Sequence, residues 1–418
     1  MKFEVPSIQD QVFFVSYGGG HAAALAPVVA ELGCRSISSK TLALTTAKGY
    51  FDRQGLQAMS MADVVDIVPG YQGVRRVGRV LAQGQSQHSA VSREDTEAYL
   101  GVGFHAMARS LGLRKAREIY AEGNRQRFRP VDFFRAWFKE QRPSVVVATS
   151  APRSERAALE AARDLGIPSV CVVDLYAPYE IEWCASPGYA SKICVLNEAV
   201  ARRFREHGVP DERVAVTGNP AFDRLARLDI NQLRATARKA MGVGEDEWVV
   251  SWMSQPESEK HPFDKVVAGD PRLPEHVERY LVEGLRDRPN VKLVFRRHPS
   301  EDRPQEFSGP RVCYSDATQS LDELLCASDC VLTTGSTVGL EAGLLYIPVV
   351  QSMDSIFSSS LPLADLGLAR SVEKHQQFWP AIDEVLIDAS RSNSLHVPRL
   401  DASSAGAGIA DIINQLVN

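Results

Sequence analysis

The sequence predicts an α/β protein built from two doubly wound parallel sheets. Three observations carry this. The chain has 418 residues, which is too long for one small core and divides naturally into two domains of about 200 residues each. Short apolar runs alternate with helical patterns and Gly-Pro stops, the pattern of parallel strands joined by crossover helices. Each half also holds a strand-to-helix turn containing Gly, YGGGH at 17–21 and TGST at 334–337.

Composition narrows the class. With 44% hydrophobic and 24% charged residues, a folded globular chain is expected. A net charge of −5 argues against a nucleic-acid binder that works through a global basic field. There is no apolar run of about 18 residues, so no membrane span is expected. Residues 1–11, MKFEVPSIQDQ, lack the pattern of a signal peptide, which makes a cytoplasmic location the expectation. The seven cysteines (34, 171, 184, 194, 313, 326 and 330) form no CxxC pair. They read as buried reduced thiols rather than metal ligands.

In the first half, residues 11–16 (QVFFVS) form a strand and the turn 17–20 leads into a helix over 21–32 with apolar positions at helical spacing. Strands follow at 41–45 and 64–68, with a helix over 47–54 between them. Residues 70–124 read as an insertion with a helix over 94–111. The alternation resumes with a helix at 131–141, a strand at 144–148, a helix at 154–165 and a strand at 169–174. A strand at 192–196, a helix at 197–207 and a strand at 214–217 complete this half. A linker helix over 221–240 then reaches a second sheet, with strands at 248–253, 291–296, 312–314, 330–333 and 347–350. A helix over 404–417, with Ser404 as its N-cap, closes the chain. The aromatic-rich segment 131–138 could dock a lipid-linked acceptor or pack in the core, and the core is the better reading.

Chemistry is expected at strand ends, because open parallel sheets present ligand contacts there. Gly18, Gly19 and Gly20 allow a ligand to approach the backbone, and a helix start favours an anion. The spacing is not that of the dinucleotide fingerprint. His21 follows directly and could donate to a substrate oxygen or take a proton. Asp174 ends a strand, with Glu180 and Glu182 close behind. The general base stays open among these carboxylates and His21. Asn219 sits in a Gly-Asn-Pro turn near the domain boundary, and Ser254 follows the first strand of the second half. In Arg296-Arg297-His298-Pro299, period two sends one Arg to the ligand side and the other to the sheet's flank. Gly335, Ser336 and Thr337 open a helix whose Glu341 shares a face with Thr337. They could cap the helix, contact a phosphate, or do both.

Taken together, GGGHAAALAPVVAELG, VTGNPAFDRL, RRHP and STVGLEAG resemble the GT-B glycosyltransferase fold. The resemblance implies two Rossmann-like domains facing across a cleft. An acceptor domain would span 1–225 and a nucleotide-sugar domain 226–400, with a closing helix over 401–418. The RRHP and STVGLEAG motifs resemble those of bacterial capsule and sialic-acid-type transferases that use cytidine-nucleotide donors. There the His and the hydroxyls hold the nucleotide phosphate, a role that would fall to His298, Ser336 and Thr337. The acidic-Gly motif that carries the base in those enzymes is not evident here. The GGGH loop resembles uridine-nucleotide-sugar transferases and hydrolases whose His lies at the reaction centre, which maps to His21. LAPVVAEL and VTGNPAFDRL are also similar to UDP-N-acetylglucosamine 2-epimerases. Their GTRPE opening is SYGGGH here and their DSGG is TGST, so that reading ranks second.

The resemblance implies a metal-independent glycosyltransferase of the EC 2.4 class that needs no cofactor and makes a bacterial surface polysaccharide or secondary-metabolite glycan. It would move a sugar from a CMP-, UDP- or other nucleotide-linked donor to a glycan, lipid-linked or small-molecule acceptor. An epimerase-like enzyme or nucleotide-sugar hydrolase is the alternative. The candidate catalytic residues are His21, Asp174 and Glu180. The candidate nucleotide contacts are Gly19, Gly20, Asn219, Ser254, Arg297, His298, Gly335, Ser336, Thr337 and Glu341. No nucleic-acid partner is expected, and a peripheral membrane contact is compatible with a lipid-linked acceptor.

Overall fold

The computed structural model describes residues 11–83, 90–261, 266–298, 300–301, 304–315, 319–391 and 404–418. The chain divides into two units, Met1–Asp223 with Ser403–Asn418, and Arg224–Ala402. Each unit holds a six-stranded sheet whose strands are all parallel.

The first sheet comprises β1 (Val12–Tyr17), β2 (Ser39–Leu44), β3 (Val145–Thr149), β4 (Ser169–Val172), β5 (Lys192–Val195) and β6 (Val214–Val216). Their spatial order is β2-β1-β3-β4-β5-β6. β1, β3 and β4 are buried almost throughout because helices cover both faces of the sheet, which explains their continuous apolar runs. The chain leaves β1 for β2 on one side and reaches β3 on the other. The C-terminal ends of β1 and β3 therefore flank a topological switch point, where such sheets place ligands.

The second sheet comprises β7 (Trp248–Met253), β8 (Val291–Arg296), β9 (Val312–Ser315), β10 (Cys330–Thr333), β11 (Val349–Ser352) and β12 (Arg370–Val372). Its order, β12-β11-β10-β7-β8-β9, puts the switch point between β7 and β10. The helix Ile230–Ala240 is anchored to this sheet by Arg234 and Arg238, which both pair with Asp329. That carboxylate also accepts the Val249 N–H at 2.7 Å.

Four expectations are corrected. Residues 64–68 are not a strand. The segment starts as the short helix Met61–Val64, capped by Ser60 and Asp63, and continues in turns. Val64, Val65 and Val68 are buried while Ile67 is 63% exposed, a helical rather than an alternating pattern. The linker helix starts only at Ile230, capped by Asp229, after two short 3-10 turns at Pro220–Phe222 and Leu225–Arg227. The three glycines at 18–20 are the first turn of the helix Gly18–Cys34 rather than a loop before it. Finally, Cys34 is exposed, whereas Cys171, Cys184, Cys194, Cys326 and Cys330 are buried free thiols.

The closing helix, Ala405–Val417, belongs to the first unit. Ser404 caps it as expected, and the Asp223 carboxylate accepts the N–H groups of Ala405 (2.9 Å) and Gly406 (2.8 Å). An anion at a helix N-terminus is favoured by the helix dipole. Ile409 and Ile413 are fully buried among Leu25, Val28 and Val147. Each contributes about 2 kcal/mol of hydrophobic stabilisation.

The aromatic segment in the helix Val131–Gln141 is core. Phe133, Phe134, Trp137 and Phe138 are at most 2% exposed, and Phe13 meets Trp137 edge-on at 5.1 Å. The described residues of 70–124 are mostly helical, with Arg75–Ala82 packed tightly on Arg93–Leu111. A Cβ on Gly78 would overlap the Glu97 carbonyl, and one on Gly101 would overlap that of Val74, so glycine permits this crossing. Among the described residues no helix is long and apolar enough to cross a membrane.

Candidate functional site

In the first unit, three strand ends bring polar side chains together. His21 stands at the start of the helix after β1, Thr149 ends β3, and Asp174 lies just beyond β4. The His21 Nδ1 is 3.1 Å from the Thr149 Oγ1 and 3.7 Å from an Asp174 carboxylate oxygen. Thr149 also donates its hydroxyl hydrogen to the Glu155 Oε1 at 3.2 Å, and the same Oε1 accepts the Tyr17 N–H at 2.8 Å.

This chain fixes the imidazole tautomer. The Thr149 proton is committed to Glu155, so Thr149 offers only a lone pair to His21. The hydrogen therefore sits on Nδ1, and Nε2 carries the free electron pair. Nε2 has no partner among the described residues. At 3.7 Å from Nδ1 the Asp174 carboxylate is too far for a good hydrogen bond, so Thr149 is the partner that sets the proton's position. The His21 and Asp174 side chains are 26% and 35% exposed, so both can be reached from solvent.

Two further carboxyls border this cluster. Glu155 is fully buried, and burial pushes its carboxyl up, against the pull of His21 and of its hydrogen bonds. Its Oε2 has no hydrogen-bond partner among the described residues. Glu180 is half-buried and is also pushed up, first by burial and then by the Asp174 charge.

Asn219 is held at both ends of its side-chain amide. Its amide Nδ2 donates to the Asp174 carbonyl, and its Oδ1 accepts the Ala221 N–H at 3.0 Å. At 4% exposure it is a strut that fixes the Asp174 backbone. At Gly19 and Gly20 no heavy atom of the described residues lies within 4 Å of where a Cβ would stand, leaving room above the helix start.

In the second unit, the two arginines of RRHP are both committed within the unit. Arg296 donates to the Ser315 hydroxyl (2.8 Å) and the Gln319 carbonyl (2.9 Å). Arg297 forms a fork with Glu278, at 3.1 and 2.7 Å, and its guanidinium lies 4.7 Å from the Tyr314 ring centre. Glu278 is fully buried, so this pair ties the end of β8 to the helix Leu273–Gly284.

His298 is exposed at the end of β8. Its Nδ1 accepts the Ser300 N–H at 3.2 Å and lies 2.7 Å from the Ser300 hydroxyl. Nδ1 is therefore the acceptor and Nε2 carries the hydrogen. Nε2 has no partner among the described residues, so it offers a donor. Glu301 holds this turn, accepting the His298 N–H and the Ser254 hydroxyl, each at 2.9 Å. Ser254 thus braces the His298 turn.

At the end of β10, the Thr333 hydroxyl accepts the N–H groups of Gly335 (3.2 Å) and Ser336 (3.0 Å). Ser336 caps the helix Thr337–Leu344 by accepting the Val338 N–H at 3.2 Å. The Gly335 and Ser336 amides are therefore satisfied internally. The Thr337 amide and hydroxyl and the Ser336 hydroxyl hydrogen remain as donors. Glu341 is buried and pairs with Arg224, which also pairs with Asp322. Burial, foremost, pushes the Glu341 carboxyl up.

Sequence reasoning missed Thr149, Glu155 and Arg224. Glu155 carried one available signal, an acid in the first turn of a helix that follows a strand end. Among the described residues no group of three or more His, Cys, Asp or Glu side chains is placed to hold a metal ion.

No protein-family model and no curated protein matches the sequence. Solved structures match over nearly the whole chain. A structure of UDP-GlcNAc 2-epimerase from Neisseria meningitidis bound to UDP-GlcNAc shares 14% identity, covering 97% of this chain and 99% of that one, with a TM-score of 0.57. A putative UDP-N-acetylglucosamine 2-epimerase from Listeria monocytogenes shares 12% identity over 97% and 96%, with a TM-score of 0.59. The glycotransferase of kitacinnamycin shares 16% identity over 98% and 99%, with a TM-score of 0.55. The fold is therefore that of the GT-B class, with two Rossmann-like units.

Proposed function

We propose that this protein is a nucleotide-sugar enzyme, and specifically a glycosyltransferase that uses His21 as its general base. The observation that carries the reading is the Thr149–His21–Asp174 arrangement, which leaves Nε2 of a tautomerically fixed imidazole as the free base. An acceptor hydroxyl gives its proton to Nε2. Its oxygen forms a bond to the anomeric carbon as the bond from that carbon to the nucleotide phosphate breaks. The phosphate leaves with the electron pair, and Asp174 balances the imidazolium. Taken by itself, the second unit offers donors at its strand ends that suit a nucleotide phosphate, the His298 Nε2–H and the Thr337 amide and hydroxyl. The reading is supported by the GT-B fold, shared with the glycotransferase of kitacinnamycin and with an epimerase bound to UDP-GlcNAc.

An epimerase-like or hydrolytic enzyme is the second reading, favoured by the epimerase structures over 97% of the chain. Such an enzyme needs no acceptor. The test is incubation with UDP- and CMP-linked sugars, alone and with glycan and lipid-linked acceptors. Nucleotide release that depends on an acceptor supports the transferase. A new sugar or free nucleotide from donor alone moves the assignment to the second reading.

A further inference from the structure

We propose that the turn joining the helices Arg93–Leu111 and Leu113–Gly123 is a docking wedge for an anionic membrane surface. Two leucines flank Gly112, and both are open to solvent, Leu111 at 49% and Leu113 at 52%. Gly112 has φ +79°, a conformation that turns the chain sharply between the helices. Around the leucines stand Arg109, Arg114, Lys115 and Arg117, all exposed, with no acid between residues 109 and 117. Arg109, Arg114 and Arg117 make no ion pair among the described residues. Lys115 pairs only with Glu118, at 3.2 Å and with both side chains at least half exposed. The remaining acid of that helix, Glu122, lies beyond the turn. The Arg109 guanidinium lies beside Gly70, on the turn that also carries Ile67, itself 63% exposed.

Four cations on nine residues stand out in a chain whose net charge is −5. Aliphatic tips ringed by cations match the boundary between acyl chains and anionic headgroups. The chemistry fits other partners less well. A single turn with two leucines is far smaller than the roughly 800 Å² per partner of a stable protein interface. It also has no aromatic platform on which a nucleic-acid base could stack. The inference holds whichever reaction the protein catalyses.

The test is co-sedimentation of the full chain with vesicles of phosphatidylcholine, with and without phosphatidylglycerol. Binding is expected only to the phosphatidylglycerol vesicles and is expected to weaken with salt. The variant Leu111→Asp with Leu113→Asp should bind about tenfold more weakly, as should Arg114→Gln with Lys115→Gln and Arg117→Gln. These residues are exposed, so melting temperature should not move. Should either variant fail to fold, Leu113→Trp provides a second readout, a blue shift of emission with phosphatidylglycerol vesicles and none with phosphatidylcholine. No binding of the unaltered chain to anionic vesicles would overturn the proposal. So would undiminished binding by folded variants, or an unshifted Leu113→Trp emission.

Discussion

Two histidines stand at strand ends, one in each unit, and they are held in opposite ways. The His21 Nδ1 faces a threonine lone pair, so it keeps its hydrogen and leaves Nε2 as a base. The His298 Nδ1 accepts a backbone N–H, so its hydrogen sits on Nε2 as a donor. The residues are the same, yet the neighbour at Nδ1 leaves one ring with an acceptor at Nε2 and the other with a donor there. The carboxylates differ too. Asp174 stands 3.7 Å from the His21 ring, whereas Glu301 accepts the backbone N–H of His298 and the Ser254 hydroxyl.

The largest expected effect breaks the comparison at the base. His21→Ala should lower kcat by about 10²–10⁴-fold, the usual contribution of a general base, while nucleotide affinity stays unchanged. A stability measurement sharpens the division within RRHP. Arg297→Ala leaves the buried Glu278 charge without its partner, and chemical denaturation should show a loss of about 3–5 kcal/mol. On the donor side, His298→Ala removes one hydrogen bond to a charged group. Calorimetry should show nucleotide affinity falling about tenfold, with melting temperature little changed.

Thr149→Val keeps the shape at the end of β3 but removes the lone pair that holds the Nδ1–H. A kcat loss of about tenfold is expected, with a changed pH–rate profile, since Asp174 alone would then orient the ring. The smallest effect concerns pH. The Glu155 carboxyl is raised above its ordinary 4.5 by burial, so the folded state holds its proton more tightly than the unfolded state does. That stabilisation is complete below 4.5 and is lost as pH rises through the folded-state value. Glu155→Gln cannot titrate, so its urea midpoint should fall less over that window than that of the unaltered chain.

Much of the fold was legible because parallel strands covered on both faces read as apolar runs, as in β1 and β3. A cap was legible at Ser404, where the side chain signals its own backbone. The edge strand Arg370–Val372 was not, because it is short and mostly exposed and has no apolar run. Residues 64–68 misled because a valine-rich run has the same composition in a strand as in a buried helical turn. In the candidate site, His21 and Asp174 were legible from their places at strand ends. Thr149 and Glu155 were not, since their role depends on a contact that closes 128 residues of chain. Arg297 and Asn219 show the converse. Their chemistry suits a ligand, but partners the sequence could not rank, Glu278 and the Asp174 carbonyl, already engage them.

The most direct measurement is calorimetric titration of CMP, CDP, UDP, GDP and dTDP into the unaltered chain, His21→Ala and His298→Ala. The account predicts that at least one nucleotide binds the unaltered chain and His21→Ala equally, and binds His298→Ala about tenfold more weakly. Binding lost in His21→Ala but kept in His298→Ala, or no binding of any nucleotide, would contradict it.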